Sequence, residues 1–466
     1  MLLIQEYLRN IDLPLKDCYY REDMKNPPNN RYAAIKKSIS SAKAWLEPGL
    51  GIKRWFVLVL AGTMIISIGV ADILLDVFRE STNEYLSQIL YYGALLFLPS
   101  LLRSAIFGSI GIFMILYGFW GFNRSILQPF VTPGKPVIDT VAHFRRRGRG
   151  PRIVVIGGGH GQATLLRGLK KHTTNLTAIV TVADDGGSSG RLRDSMGILP
   201  PGDIRNCLAA LSNDEDLITQ LFQYRFAQGD NQLEGHSFGN LFISALSDLT
   251  GSFEEAVAES GRVLSVHGRV LPSTLHDVQL IADKTLPHLT GEVRVHGESN
   301  IPEIDGKVRQ VWLEPNNPPA FPEAIREILR ADMIVIAPGS LFTSILPNLL
   351  VPDIAAAIRS SQAFKVFVCN VATQPGETDG YDCLDHIEAI DSHVGNSLFD
   401  IVIANAEEEG KLPKGVDWVA APLEFEGKYP LYRANLIDWD QPSAHNADKL
   451  AQVLIDLLLE RTGPLV

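Results

Sequence analysis

From Arg152 onward, short β-branched apolar runs recur between helix-length stretches, and this alternation constrains the fold more than any other feature. The runs are 152–156 (RIVVI), 176–182 (LTAIVTV), 308–313 (VRQVWL), 332–337 (DMIVIA), 365–370 (KVFVCN) and 400–405 (DIVIAN). They read as strands of nearly continuous hydrophobicity, as expected where both faces are covered. Helix candidates fall between them at 163–171, 204–212, 215–226, 238–249, 252–261, 321–330, 342–350, 352–361 and 380–391. Alternation of this kind predicts a doubly wound, mostly parallel α/β sheet, Rossmann-like in type, over residues 151–466. Such sheets bind ligands beyond the carboxyl ends of their strands, so the loops there are the place to look for function.

The N-terminal third has a different character. Residues 55–75 are apolar apart from Asp72, and residues 104–122 carry no charge. Each run is close to the roughly 20 residues that cross a hydrocarbon core as a helix. Trp55 opens the first, and Tyr117, Phe119, Trp120 and Phe122 close the second, as interfacial aromatics do. Lys36, Lys37, Lys43, Lys53 and Arg54 precede the pair, and Arg124, Arg145, Arg146, Arg147 and Arg149 follow it, against only Arg79 and Arg103 between. The positive-inside rule then predicts a transmembrane hairpin in the cytoplasmic membrane, with the main domain in the cytoplasm. Gly108 and Gly111 offer small surfaces for pairing the spans. Residues 89–102 are apolar but broken by Pro99, and read as an interfacial or re-entrant piece.

The expected organisation is a basic segment 1–50, a hairpin 51–123, a polybasic linker 124–150 and a ligand-binding domain 151–466. The linker's FRRRGRG serves as a positive-inside anchor or meets anionic lipid headgroups. A net charge of −11 argues against a nucleic-acid partner. Cys18, Cys207, Cys369 and Cys383 form no C-x-x-C pair, which fits buried thiols in a reducing compartment.

Six strand-end loops share one polar chemistry. In GGGHG, Gly157, Gly158, Gly159 and Gly161 let the backbone approach an anion at a helix start, although Gln162 or Thr164 breaks the dinucleotide fingerprint. The next strand ends in DDGGSSGR, where Asp184 and Asp185 would hold a ribose hydroxyl or, with Mg²⁺, a ligand phosphate. Gly186 and Gly187 lie in what otherwise reads as a flexible loop, and Arg191 and Arg193 would meet phosphate bidentately. Asp203 reads as a helix cap, with Arg205 and Asn206 facing the site. His236 and Asn240, four residues apart, share a helix face, and His236 is the acid–base candidate beside Asp185. Gly339, Ser340, Thr343 and Ser344 follow strand 332–337 in an anion-binding pattern, and Asn370 and Gln374 lie in the loop after 365–370.

Taken in order, GGGHG, DDGGSSGRLR, PPGDIRNCL, GHSFGNL, APGSLFTSILPNLL and TQPGETDGY resemble the gluconeogenesis factor family of bacteria, itself similar to the 2-phospho-L-lactate transferases. The resemblance covers residues 150–465 and leaves the apolar hairpin outside. It implies a Rossmann-like fold, a homo-oligomer (often a dimer), and binding of a nucleotide sugar, UDP-N-acetylglucosamine being the expected ligand. It also implies a role in cell shape and peptidoglycan precursor supply. By matching position, GGGHG with His160, and Gly339 to Thr343, would meet the diphosphate and sugar, while Asp184, Asp185, Asn206, His236 and Asn240 line the site. DDGGSSGRL departs from the transferase pattern. A sensor without turnover is therefore expected ahead of a Mg-dependent transferase, and a dehydrogenase is disfavoured by the broken glycine fingerprint.

Overall fold

The computed structural model describes residues 52–78, 95, 97–127, 150–212, 217–227, 233–286, 291–396, 398–422 and 429–462. The chain divides into two compact units, residues 1–140 and 141–466. The basic segment 1–50, half of the expected re-entrant piece 89–102 and residues 128–149 of the expected linker 124–150 lie outside the described residues, while residues 124–127 of that linker belong to the helix Ser100–Leu127.

In the first unit, the helices Ile52–Phe78 and Ser100–Leu127 pack together. Their backbones come close at Gly62 and Gly111, where a Cβ on either would lie 3.1 Å from the other's carbonyl oxygen. Gly108 takes no part in this contact, since nothing lies within 4 Å of where its Cβ would be. The second helix starts directly after Pro99, so residues 100–102 belong to it and not to a separate re-entrant piece. Among the described residues, Ser100–Phe122 is the one helix long and apolar enough to cross a membrane, and the matching stretch of its partner, Val57–Ala71, is shorter.

The second unit is built on a seven-stranded sheet, order β10-β9-β8-β7-β1-β2-β3. Its strands are β1 (Ile153–Gly157), β2 (Leu176–Val180), β3 (Arg269–Pro272), β7 (Met333–Ile336), β8 (Phe364–Val368), β9 (Ile401–Asn405) and β10 (Leu431–Ala434), and every neighbouring pair is parallel. A second sheet, order β5-β4-β6, joins β4 (Gln279–Thr285), β5 (Glu292–His296) and β6 (Lys307–Glu314) in antiparallel fashion.

The strand 308–313 is therefore real but does not join the parallel sheet. Its burial alternates, with Val308, Val311 and Leu313 inward and Arg309 and Gln310 outward, as befits a sheet with one covered face. Successive residues of β1 feed opposite cores. Val154 and Ile156 join the side that includes Leu280, Val311 and Phe342, whereas Ile153 and Val155 join the side that includes Leu166, Leu208 and Leu454.

Gln162 explains the broken fingerprint. It is fully buried, and its Nε2 donates to the carbonyls of Val155 (2.9 Å) and Ile179 (3.0 Å), fastening the first helix to β1 and β2. A side-chain amide does here what close glycine packing does in dinucleotide folds.

Candidate functional site

The chain runs outward from β1 through β2 and β3, then returns to the other side of β1 with β7 and continues to β10. The strand order thus reverses between β1 and β7. At such a switch point the loops part in opposite directions and leave a crevice beyond the carboxyl ends.

On one side of the crevice, β1 leads through Gly158 into the helix Gly159–Leu169. Gly158 must be glycine for space, because a Cβ there would lie 2.7 Å from Asp203 Oδ2 and 3.0 Å from Thr181 Cγ2. Gly159 has φ +64° and donates its N–H to Asp203 Oδ2 at 2.8 Å. Gly161 touches the opposite loop, since its Cβ would meet the Pro338 carbonyl oxygen at 2.1 Å. His160 is exposed at the rim.

On the other side, Asn370 clamps Gly339 by both ends. Its Oδ1 accepts from the Gly339 N–H at 2.9 Å, and its Nδ2 donates to the Gly339 carbonyl at 2.7 Å. Gln374 is held through its backbone N–H, which donates to Thr378 Oγ1 at 2.8 Å. Ser340 caps the following helical turn, accepting from the Thr343 N–H at 3.3 Å, and donates its hydroxyl to buried Glu377. Glu377 also accepts from Thr343 Oγ1 at 3.4 Å, and burial pushes its carboxyl pKa up.

Carboxylates gather on the floor. Burial, and then the charge of Asp184, raise the Asp203 pKa to about 6. Asp184 accepts from the Gly186 N–H at 2.9 Å and is itself raised by burial. Glu298, bonded to the Thr343 hydroxyl, is pushed up to about 8 by burial and then by Asp184, so it is largely protonated at neutral pH and can donate.

Asp185 departs from its expected role. Its two oxygens accept the backbone N–H groups of Glu298 (3.1 Å) and Ser299 (2.9 Å), so it fastens the turn after β5. Asp184 thus feels the charge of Asp185 and in turn raises Asp203 and Glu298. Among the described residues, no three His, Cys, Asp or Glu side chains are grouped to hold a metal ion.

The third wall belongs to His236 and Asn240. Ser188 Oγ lies 3.0 Å from His236 Nδ1 and accepts from Asn240 Nδ2 at 3.1 Å. Burial, then Arg191, lower the His236 pKa, which keeps the imidazole neutral. The expected flexible loop is instead the helix Gly187–Met196, entered through Gly187 at φ +48° with Ser188 and Ser189 buried. Arg191 donates to the Glu234 carbonyl at 2.7 Å, whereas Arg193 is turned away to Asp277 and the Val278 carbonyl. Asn206 Oδ1 accepts from Arg205 Nη2 at 2.7 Å. Sequence reasoning missed Glu298 and Glu377 as site residues. Glu377 stood in the loop already singled out, whereas Glu298 follows an exposed hairpin strand with no local signature.

A pH dependence follows from Glu298. Its folded-state pKa of about 8 exceeds the ordinary 4.5, so the folded state binds more protons between these values. Its contribution is fully present below about 4.5 and lost as pH rises through about 8. The urea midpoint of Glu298→Gln should therefore exceed that of the wild type at pH 8.5 and match it near pH 5. Equal midpoints at both pH values would show that the carboxyl is not held in its neutral form.

A cavity of about 500 Å³ lies elsewhere, beside β3 and lined by Val257, Val266 and Phe321. The polar chemistry lies instead in the switch-point crevice.

The family described as 2-phospho-L-lactate transferase CofD matches residues 153–426. A Nostoc sp. protein assigned as a gluconeogenesis factor is 47% identical over 430 residues, 88% of this chain and 91% of that one. That match reaches well into the region before residue 150, so the likeness is wider than the domain alone. The gluconeogenesis factor of Bacillus subtilis is 44% identical over 334 residues, 67% of this chain and 100% of that protein. A crystal structure of a UPF0052-family protein from Bacillus halodurans, 41% identical, superposes with a TM-score of 0.60, covering 66% of this chain and 99% of that one.

Proposed function

Because the chain belongs to the gluconeogenesis factor family and carries a CofD-like domain, we propose that it is a regulator that binds a nucleotide sugar, UDP-N-acetylglucosamine foremost, in the switch-point crevice. In this reading the N-terminal helix pair holds the domain at the cytoplasmic membrane, where a homo-oligomer tunes cell shape and peptidoglycan precursor supply. The observation that carries it is the pairing of two chemistries in one crevice. Glycine backbone at the start of the helix Gly159–Leu169 suits a diphosphate. Beside it, Asp184, Asp203 and protonated Glu298 suit the hydroxyls of ribose or sugar. The hydroxyls beside the crevice are engaged within the protein, Ser188 between His236 and Asn240 and Ser340 and Thr343 on Glu377, and in this reading they serve the binding framework.

A second reading, favoured by the family match over residues 153–426, is a transferase of a phospholactyl-type group. Neutral His236 and the raised carboxyls would then move protons.

Titration calorimetry of the full-length protein with UDP-N-acetylglucosamine, with and without Mg²⁺, followed by analysis of the recovered ligand, separates the two. Micromolar binding with intact ligand is expected. Consumption of the nucleotide would make the protein a transferase, and absence of binding would sink the nucleotide-sugar reading.

A further inference from the structure

Three helices of the domain start against one another. Ser188 in the first turn of Gly187–Met196 bonds to Asn240 in the first turn of Phe238–Thr250 at 3.1 Å. Gly202, which opens Gly202–Leu211, lies so close to Ser189 that a Cβ would be 2.4 Å from its Oγ. Gly239 closes the triangle, because its Cβ would lie 2.9 Å from Arg205 Cγ and Cδ. Each helix start brings the partial positive charge of its N-terminus to the shared space, although in Phe238–Thr250 the N–H groups of Phe238 and Asn240 are already taken by the Tyr224 carbonyl and Ser237 Oγ.

A charged side chain lies buried inside this triangle. Arg205 is only 7% exposed, and among the described residues its Nε and Nη1 have no hydrogen-bond partner; its one bond is from Nη2 to Asn206. Asp203 and Asp184 influence its charge through space, but neither accepts one of its N–H groups. Asn240, 2% exposed, likewise has an unpartnered Oδ1. Two more guanidinium groups border the same place, Arg191 on the Glu234 carbonyl (2.7 Å) and Arg225 on the Gly235 carbonyl (3.3 Å). Buried guanidinium N–H groups are ordinarily satisfied, and the fork geometry matches an oxyanion.

We propose that the three helix starts and Arg205 form an oxyanion subsite that grips a phosphoryl group of the ligand, with Asn240 Oδ1 accepting from a neighbouring ligand hydroxyl. This rests on the nucleotide-sugar reading for the ligand's identity but not for its charge. It adds a second phosphoryl contact to the one at the start of the helix Gly159–Leu169, so that a diphosphate lies between that helix and Arg205 with the ligand hydroxyls towards Asp184, Asp203 and Glu298.

The test titrates full-length wild type, Arg205→Gln and Arg205→Lys with inorganic pyrophosphate and with UDP-N-acetylglucosamine, and records ligand-free melting curves. Arg205→Gln should melt no lower than wild type, because it removes a buried charge with unpaired donors, and should bind pyrophosphate at least tenfold more weakly. Arg205→Lys keeps the charge without the fork and should fall between; it decides the matter if Arg205→Gln does not fold. Undiminished pyrophosphate binding by the variants, or none by the wild type, overturns the proposal, as does a lower melting point with affinity unchanged. If wild type binds pyrophosphate through Arg205 but not UDP-N-acetylglucosamine, the subsite stands and the nucleotide-sugar reading falls. Full UDP-N-acetylglucosamine affinity in Arg205→Gln gives the reverse.

Discussion

Gly161→Ala is expected to lower the melting temperature by on the order of 5 °C and to remove ligand binding. The position is helical, where alanine normally improves on glycine by about 1 kcal/mol. Here the added methyl would meet the Pro338 carbonyl oxygen at 2.1 Å and its carbon at 2.7 Å. These are backbone atoms that no rotamer change can move aside. Overpacking of this kind costs about 3 kcal/mol, so the clash outweighs the propensity gain. Relief requires the loop after β7 to retreat, which breaks the double hydrogen bond between Gly339 and Asn370. Gly159→Ala is the control. Its φ of +64° costs about 1–2 kcal/mol, yet the nearest atom to its Cβ is 3.8 Å away, so the loop stays in place. Thermal unfolding and calorimetry of both variants check the order. Equal loss of binding in the two would show that the Gly161 contact does not shape the crevice.

The parts of this fold legible in the sequence are those buried on both faces. β1, β2, β7, β8 and β9 read as unbroken apolar runs because helices cover them on either side. β3 and β10 were missed for the opposite reason. They are the edges of the sheet, and RVLP and LYRA are short and carry charge. In β6, Arg309 and Gln310 in mid-strand were the available sign of a one-sided sheet. The helix Gly187–Met196 was hidden by its Gly-Gly-Ser-Ser-Gly opening, a composition that serves flexible loops and crowded helix starts alike. Site residues at strand ends were legible because the topology fixes where strand ends go. Glu298 and the brace at Lys284 were not, since their partners lie far along the chain and no local pattern records a distant contact.

That brace carries the last expected result: Lys284→Met should destabilise the domain by about 3–5 kcal/mol. Lys284 sits in β4 with no exposed surface. Its ammonium donates to the carbonyls of Ile301 (2.7 Å), Gly376 (2.9 Å) and Ile304. An ammonium has three protons, and all three are used. Methionine fills the space but strands three acceptors, each costing about 1–3 kcal/mol when buried without a donor. Burial lowers the lysine pKa, while the charges of Glu377, Asp379 and Asp305 oppose that shift. The three carbonyls belong to two segments that carry site residues, the turn following Glu298 and the loop holding Glu377. Those segments also meet where a Cβ on Gly376 would lie 2.1 Å from the Pro302 carbonyl oxygen. Losing the ammonium should therefore loosen both carboxyls at once, and with them the Thr343 hydroxyl that they share. Urea denaturation measures the stability loss, and ligand affinity at a urea concentration where both proteins stay folded measures the loss at the site. If stability falls while affinity holds, Lys284 supports the small sheet alone and the two carboxyls are positioned independently of it.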